Sequence, residues 1–444
     1  MKNFALRATM LGVLAMCPPA FADEIADLKA EIAAQKAAAE AQKARLDALE
    51  KKLDTVQSQQ AAAPAPAPAQ AAAAAPKAVS GLAYEGTNFG VRLYGLLDAT
   101  VGTIDHMGAN GDRKTGFDAT PSNAPWFSGA RWGITGHRDF AAEGFSVIFK
   151  LENEYLVKDG SADDPDAAFG RDAWIGIQND TLGKLTFGRQ NTLPRDFAQN
   201  YGDPYGSANV TLEEGGWTNS NNFKQMIFYA GSASGTRYNS GVVWKKRFDS
   251  GLTAGLGYQF GEVVGSTSTG STQAIALAYN GGPFNVSGFA NHANVNGLSH
   301  KSYSIGGNYQ IGIVRVNAGY FHYTAEQAAA LGERSDNAYT VSTKITPPGK
   351  WEYDLGLQQM RANNAALNGG GNVINAFADG SSATATATGK RTTLYGSVFY
   401  HLDPTTEFYF AADRLKLGGE YTQASVTHGL DTQTEFGLGV RFRF

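Results

Sequence analysis

Few residues of this 444-residue chain are spaced for covalent chemistry. The seven histidines, at positions 106, 137, 292, 300, 322, 401 and 428, form no H-E-x-x-H and no i, i+4 pair that would hold a metal on one helix face. Gly231-Ser232-Ala233-Ser234-Gly235 has alanine where a nucleophile elbow needs serine. Gly255-x-Gly257 lacks the third glycine of a dinucleotide loop, and Gly389-Lys390 lacks both the earlier glycine and the following Ser/Thr of a phosphate loop. A single cysteine, Cys17, leaves no disulfide framework and no cysteine-based zinc site. No catalytic residue, metal or cofactor is therefore expected.

The informative side chains are charges set inside apolar segments. Lys150, Glu152 and Glu154 alternate with Phe149, Leu151 and Tyr155. Such charges belong against water, because Arg or Lys facing lipid near the midplane costs about 2–4 kcal/mol. Arg131, Lys184, Arg189, Arg237, Arg441 and Arg443 are further candidates, and each fits a rim or interface salt bridge equally well. A second set lies at 191–222, where Asp196, Asp203, Glu213 and Glu214 accompany Trp217 and several glycines. A loop this long inside a compact chain is usually functional. Folded into a lumen, its carboxylates would face a basic wall, narrow the bore and set a transverse field across permeating ions. The alternative is an exposed surface loop.

The elements that must position these charges are strands. From about position 90 the hydropathy has period two. At the C-terminus Phe436, Leu438, Val440, Phe442 and Phe444 share one face, and Glu435, Gly437, Gly439, Arg441 and Arg443 the other. Near the start Val91, Leu93, Leu97, Ala99 and Val101 oppose Arg92, Tyr94, Asp98 and Thr100. Alternation sustained over about ten residues is the signature of a membrane-spanning barrel strand; strands of soluble sandwiches are usually about 5–6 residues. Sixteen candidates follow, at 90–102, 130–139, 144–156, 170–179, 183–190, 235–245, 251–261, 272–280, 284–293, 301–310, 313–323, 336–346, 350–361, 389–402, 405–416 and 433–444. Short turns at 141–144, 249–251 and 281–283 alternate with long loops at 103–129, 191–222 and 362–388. Closure is favoured because lipid satisfies no open sheet edge.

Composition agrees. Only 18% of residues are charged, against about 25% in an average soluble domain. Glycine numbers 53 and aromatics reach 11%. A formal charge of −4 gives no reason to expect a nucleic-acid partner.

Ahead of the barrel, residues 1–22 read as an export signal: Lys2 and Arg7, an apolar run too short to span a membrane, and Ala20-Phe21-Ala22 before Asp23. Residues 23–60 carry a seven-residue repeat with Ile25, Leu28, Ile32, Leu46, Leu49, Leu53 and Val56 at core positions, interrupted by Gln35, Ala39 and Gln42. That pattern predicts a self-associating coiled coil, with a single Ala-rich helix as the alternative. Residues 61–89 read as an Ala/Pro-rich spacer, since its prolines do not continue a helix. The expected fold class is thus all-β: a 16-stranded antiparallel transmembrane β-barrel over 90–444, preceded by an α-helical coiled coil.

The segments VRLYGLLDATV, SGARWGITGHRDF, FSVIFKLENEY, GRDAWIGI, LGKLTFGRQ, TRYNSGVVW, SGLTAGLGYQF and the terminal GLGVRFRF, in this order and spacing, resemble the general (non-specific) porins of Gram-negative bacteria, the beta-proteobacterial branch especially. The resemblance implies a homotrimer of barrels in the bacterial outer membrane. Each barrel is narrowed by its inward third long loop and passes small ions and hydrophilic solutes passively. It implies constriction arginines at Arg131 and Arg189, with Arg237 a third, and it makes Phe444 the signal read by the barrel-assembly machinery. Strict alternation puts Arg189 on the face of Leu185 and Phe187, so an inward Arg189 requires a bulge at the strand end. The coiled coil departs from the usual family pattern and looks more like the periplasmic spacers of dicarboxylate-channel porins, with peptidoglycan as a possible contact. Outer-membrane lipid and lipopolysaccharide are the other expected partners. A substrate-selective channel for phosphate or dicarboxylates stays open, as does a trimeric adhesin or cell-wall tether anchored by a barrel.

Overall fold

The computed structural model describes residues 82–107, 110–118, 125–215, 224–423 and 430–444, with isolated positions between 33 and 51. The chain divides into two units, Met1–Ala74 and Ala75–Phe444. In the first, Ala33, Lys36, Glu40, Lys43, Asp47 and Lys51 are helical and exposed. The heptad-core residues Ile25, Leu28, Ile32, Leu46, Leu49, Leu53 and Val56, the leader at 1–22 and Trp217 lie outside the described residues.

The second unit is built from strands. They are β1 (Ala83–Glu85), β2 (Phe89–Ile104), β3 (Lys114–Phe117), β4 (Ala130–Phe140), β5 (Phe145–Tyr155), β6 (Asp172–Asn179), β7 (Gly183–Asn191), β8 (Arg237–Arg247) and β9 (Leu252–Gln259). There follow β10 (Thr272–Gly281), β11 (Phe284–Val295), β12 (Leu298–Ile311), β13 (Val314–Ala325), β14 (Arg334–Ile345), β15 (Trp351–Ala366), β16 (Thr386–His401), β17 (Thr406–Gly419) and β18 (Thr432–Arg443). Among the described residues β1 and β3 are short additions on β2. The other sixteen pair antiparallel with their neighbours, and β18 returns to β2 from Glu435↔Ile104 to Arg443↔Leu96, closing the ring. Phe444 extends this seam, its N–H and C=O exchanging hydrogen bonds with Gly95 at 3.1 and 3.0 Å. β1 lies within the stretch expected to be spacer.

The period-two pattern becomes an inside-out distribution of polarity. On β18 Leu438 is 64% exposed whereas Glu435 is fully buried. On β15 Trp351, Tyr353, Leu355 and Leu357 face outward, and Glu352, Asp354 and Gln358 are buried within. This is the reverse of a water-soluble sheet and is what a hydrocarbon surround selects. The start of β2, the end of β18 and the short turns (141–144, 180–182, 248–251, 402–405) lie at one end, and the longer connections (156–171, 192–236, 260–271, 367–385) at the other. One connection at the long-loop end is short: Asn296-Gly297, with φ of 50° and 90°, makes the tight turn between β11 and β12.

Candidate pore constriction

The connection from β7 to β8 does not stay outside. Thr192 caps the short helix α1 (Leu193–Ala198), its hydroxyl accepting from Arg195 N–H at 3.3 Å, with Pro194 in the first turn. Every residue of α1 is buried. Leu193, Phe197, Ala198, Tyr201, Val210, Met226, Ile227 and Tyr229 join one apolar cluster with wall residues Tyr238, Val243, Phe289 and Phe321. The wall makes room with small side chains: Gly255 and Gly257 on β9 lie against Leu193 and Phe197, beside the buried Ala274 and Ala276 of β10. Gly255-x-Gly257 is thus clearance for an inserted helix.

Polar side chains of successive strands then hold the loop's backbone. Ser287 donates to Phe197 C=O at 2.6 Å, Asn308 to Asn200 and Ala208 C=O at 2.8 Å each, and Gln358 to Gly202 C=O at 3.0 Å. Arg315 clamps the carbonyls of Pro204 and Gly206 at 2.6 and 2.9 Å, and Tyr205 reaches Ser397 on β16 at 3.0 Å. The loop therefore runs along the inner wall from β8 to β16. Burying its carbonyls without these donors would cost about 1–3 kcal/mol each.

The charges gather where the loop returns toward its root. Lys150 Nζ on β5 lies 2.5 Å from Glu214, 2.7 Å from Asp172 and 3.7 Å from Glu152. Glu214 also accepts from the Trp174 indole at 3.2 Å. Lys245 on β8 pairs with Asp196 at 2.7 Å, both buried, and Lys184 on β7 with Glu213 at 3.4 Å. Burial raises the Glu214 carboxyl, but the charge and hydrogen bond of Lys150, with Lys245, together hold the group below its ordinary range; Lys184 and Lys245 do the same for Glu213. Three of the four loop acids thus contact lysines directly, with no gap of bore between them. Asp203 is elsewhere, at the Arg315 clamp, its Oδ1 accepting from Tyr205 and Gly206 N–H at 2.9 and 3.0 Å. Burial pushes Asp203 up to about 7, against those hydrogen bonds and the pull of Arg315.

Arginines surround this cluster. Arg171 pairs with Glu152 and Glu154, and Arg131 lies opposite Glu154 in the β4–β5 register. Arg171 also acts electrostatically on Arg131, Arg195 and Arg237. Burial, with Arg237 and Arg171 nearby, pushes the Arg195 guanidinium down to about 9. Among the described residues, Arg237 Nε and Nη2 are buried without a hydrogen-bond partner. Arg189 stands apart: it falls in an irregularity between Gly188 and Gln190, where Nε donates to Gly170 C=O at 2.7 Å and Nη1 to Asn239. Arg441 and Arg443 both pair with Glu407, which also meets His401 at 3.1 Å. Arg171 and Lys245 did not stand out in the sequence. Arg171 precedes its strand, and Lys245 has Trp244 and Lys246 beside it; its inward turn would have shown only in the parity of Val243 and Lys245.

A closed ring of sixteen outward-apolar strands, narrowed by an inserted, charge-bearing loop, defines a transmembrane-type β-barrel. The chain matches the Gram-negative porin family model over residues 61–420 and belongs to that family. It is similar to an outer membrane porin protein of Bordetella pertussis, 27% identical over 265 residues, which are 53% of this chain and 64% of the relative. The chain thus spans somewhat under two thirds of that relative's length. Among solved structures the fold resembles the anion-selective porin from Comamonas acidovorans (TM-score 0.61, 19% identity, 80% of this chain and 100% of that one). It also resembles Salmonella typhi OmpF (TM-score 0.55, 15% identity, 82% and 100%) and OmpT of Vibrio cholerae (0.54, 16%, 81% and 99%).

Proposed function

We propose that the protein is an outer-membrane porin: a water-filled barrel that passes small ions and hydrophilic solutes down their gradients. The observation that carries this is the inserted loop, which lines the bore with charge while leaving the outer wall apolar. Barrels of this strand number retain an aqueous channel. Neither chemical turnover nor a cofactor enters the mechanism. Three chains assemble as a homotrimer, in keeping with the trimer form of the similar OmpT of Vibrio cholerae. Residues 1–22 direct export and are removed, and residues 23–60 join the three chains as a periplasmic coiled coil in reach of peptidoglycan. Phe444 is the handle for the barrel-assembly machinery, and lipopolysaccharide borders the outer half. Permeation into proteoliposomes tests the reading: uptake of small sugars should fall with their size and rise linearly with concentration. Vesicles carrying the protein but excluding every sugar would refute it.

A second reading, an anion-preferring or anion-selective pore, is favoured by Arg237. Two of its buried donors lack a protein acceptor among the described residues, and Arg171 and Arg195 lie close enough to act on it, with Asp172, Glu154 and Glu152 offsetting part of their charge. Such a site is completed by a carboxylate or phosphate oxygen. The similar Comamonas acidovorans protein is described as anion-selective. Uptake of a dicarboxylate that saturates while sugar uptake stays linear would establish this reading.

A further inference from the structure

The outward face of β10, β11 and β12 is not evenly corrugated. In cross-strand register Ile275 on β10 lies opposite Ala290 on β11, which lies opposite Tyr303 on β12; one step further along, Leu277, Gly288 and Ile305 repeat the pattern. The four large side chains are exposed and stand on either side of two of the smallest, so the surface is a trough along β11. A groove of about 850 Å³, which spreads from there over Val242, Trp244, Leu256 and Tyr258 of β8 and β9, shares Ile275 and Ala290 with a second of about 410 Å³ over β10 to β12. Gly288 is required there, since a Cβ would lie 2.7 Å from Ser304 C=O.

The trough ends in a polar row. His292 on β11 pairs in register with Gln273 on one side and Lys301 on the other, and all three face outward at the end carrying the long loops. His292 Nε2 contacts Ser299 Oγ at 3.0 Å. From Val286 to His292 the trough runs about 20 Å along the strand. Allowing for strand tilt, that is the scale of one leaflet's hydrocarbon in an apolar band about 25 Å tall.

We propose that this trough binds one acyl chain of a phosphate-bearing lipid of the outer leaflet, with the phosphate against Lys301 and His292. The inference rests on the outer-membrane reading above and gives it a residue-level lipid site. An apolar slot matches hydrocarbon, and the Lys301 ammonium, flanked by hydrogen-bonding His292 and Gln273 at the headgroup level, matches phosphate. No other outward charge pattern is needed, because the slot fixes the chain and the row fixes the headgroup end.

The test is native mass spectrometry of the full-length assembly in detergent, titrated with diphosphoryl lipid A and with the same lipid dephosphorylated. Wild type should retain one phosphorylated lipid per chain. Ala290→Phe fills the slot from the lipid side and should weaken both forms about tenfold, whereas Lys301→Gln should weaken the phosphorylated form alone. Ala290→Phe binding like wild type, or Lys301→Gln weakening both forms equally, would overturn the proposal. The same preparations are checked for channels in planar bilayers. Channels without lipid retention sink only this site, while absence of channels sinks the porin reading itself.

Discussion

Tyr201 and Gly319 approach so closely that a Cβ on the glycine would lie 2.3 Å from the tyrosine ring. Gly319 on β13 pairs with Gly306 on β12, whose Cβ would lie 2.4 Å from the same ring. The paired glycines make a notch in the inner wall, and the loop's tyrosine fills it, its hydroxyl 2.7 Å from Ser304 Oγ. Loop position is thus written into two strands more than a hundred residues downstream.

Gly319→Val should evict the ring. Overpacking of this kind costs about 1–3 kcal/mol, so thermal unfolding of the purified barrel should occur at lower temperature. Single-channel current should become noisier as the loop loses its seat. A variant as stable and as quiet as wild type would show that the notch does not hold the loop.

Lys245→Met should be more damaging than most single changes in the bore. It strands Asp196, which is buried and also accepts from Asn191 and Gly215 N–H. Breaking one partner of a buried pair costs about 3–5 kcal/mol. Denaturant unfolding of Lys245→Met and of Lys245→Met with Asp196→Asn separates the two contributions: the double variant should recover much of the loss.

Arg131→Gln and Arg237→Gln should each move the reversal potential in a salt gradient toward cation preference, because each removes charge from the cluster around Arg171. Arg189→Gln should move it less, since that guanidinium is tied to Gly170 C=O and Asn239, apart from the cluster around Arg171. An equal shift for Arg189 would place it in the current path.

Asp203 gives a pH dependence of defined sign. Its folded pKa, about 7, lies above the ordinary value because burial penalises the ionised form. The folded loop therefore holds the proton more tightly than the unfolded chain, and this contribution falls as pH rises from about 4 through about 7. Asp203→Asn keeps an acceptor for Tyr205 and Gly206 N–H without ionising. Its unfolding temperature should change less than that of wild type over that interval, and identical pH profiles would contradict the assignment.

Much of the barrel could be read from period-two alternation, because a strand with lipid on one side and water on the other has little freedom in its pattern. All sixteen segments appear within a few residues of their expected bounds. The largest difference is β15, which runs on to Ala366 past a register shift between Ala362 and Ala365, where alternation fails. Insertion of the loop was suggested by its length and acids; its seat was not. The seat depends on inward glycines and alanines, residues that look like ordinary strand relief until the partner is known. Ion pairing was least legible. Opposite charges on loop and wall suggested a field across the bore, whereas contact between Lys150 and Glu214 depends on loop depth, which no local pattern encodes.

The central claim is that a loop seated inside an apolar-walled barrel limits a water-filled path. Single-channel conductance in planar bilayers, comparing the full chain with a variant lacking residues 203–213, tests it most directly. The account predicts discrete ohmic channels for the full chain and a larger unitary conductance for the variant. Equal conductances would place the loop outside the current path, and no channels from either would contradict the account as a whole.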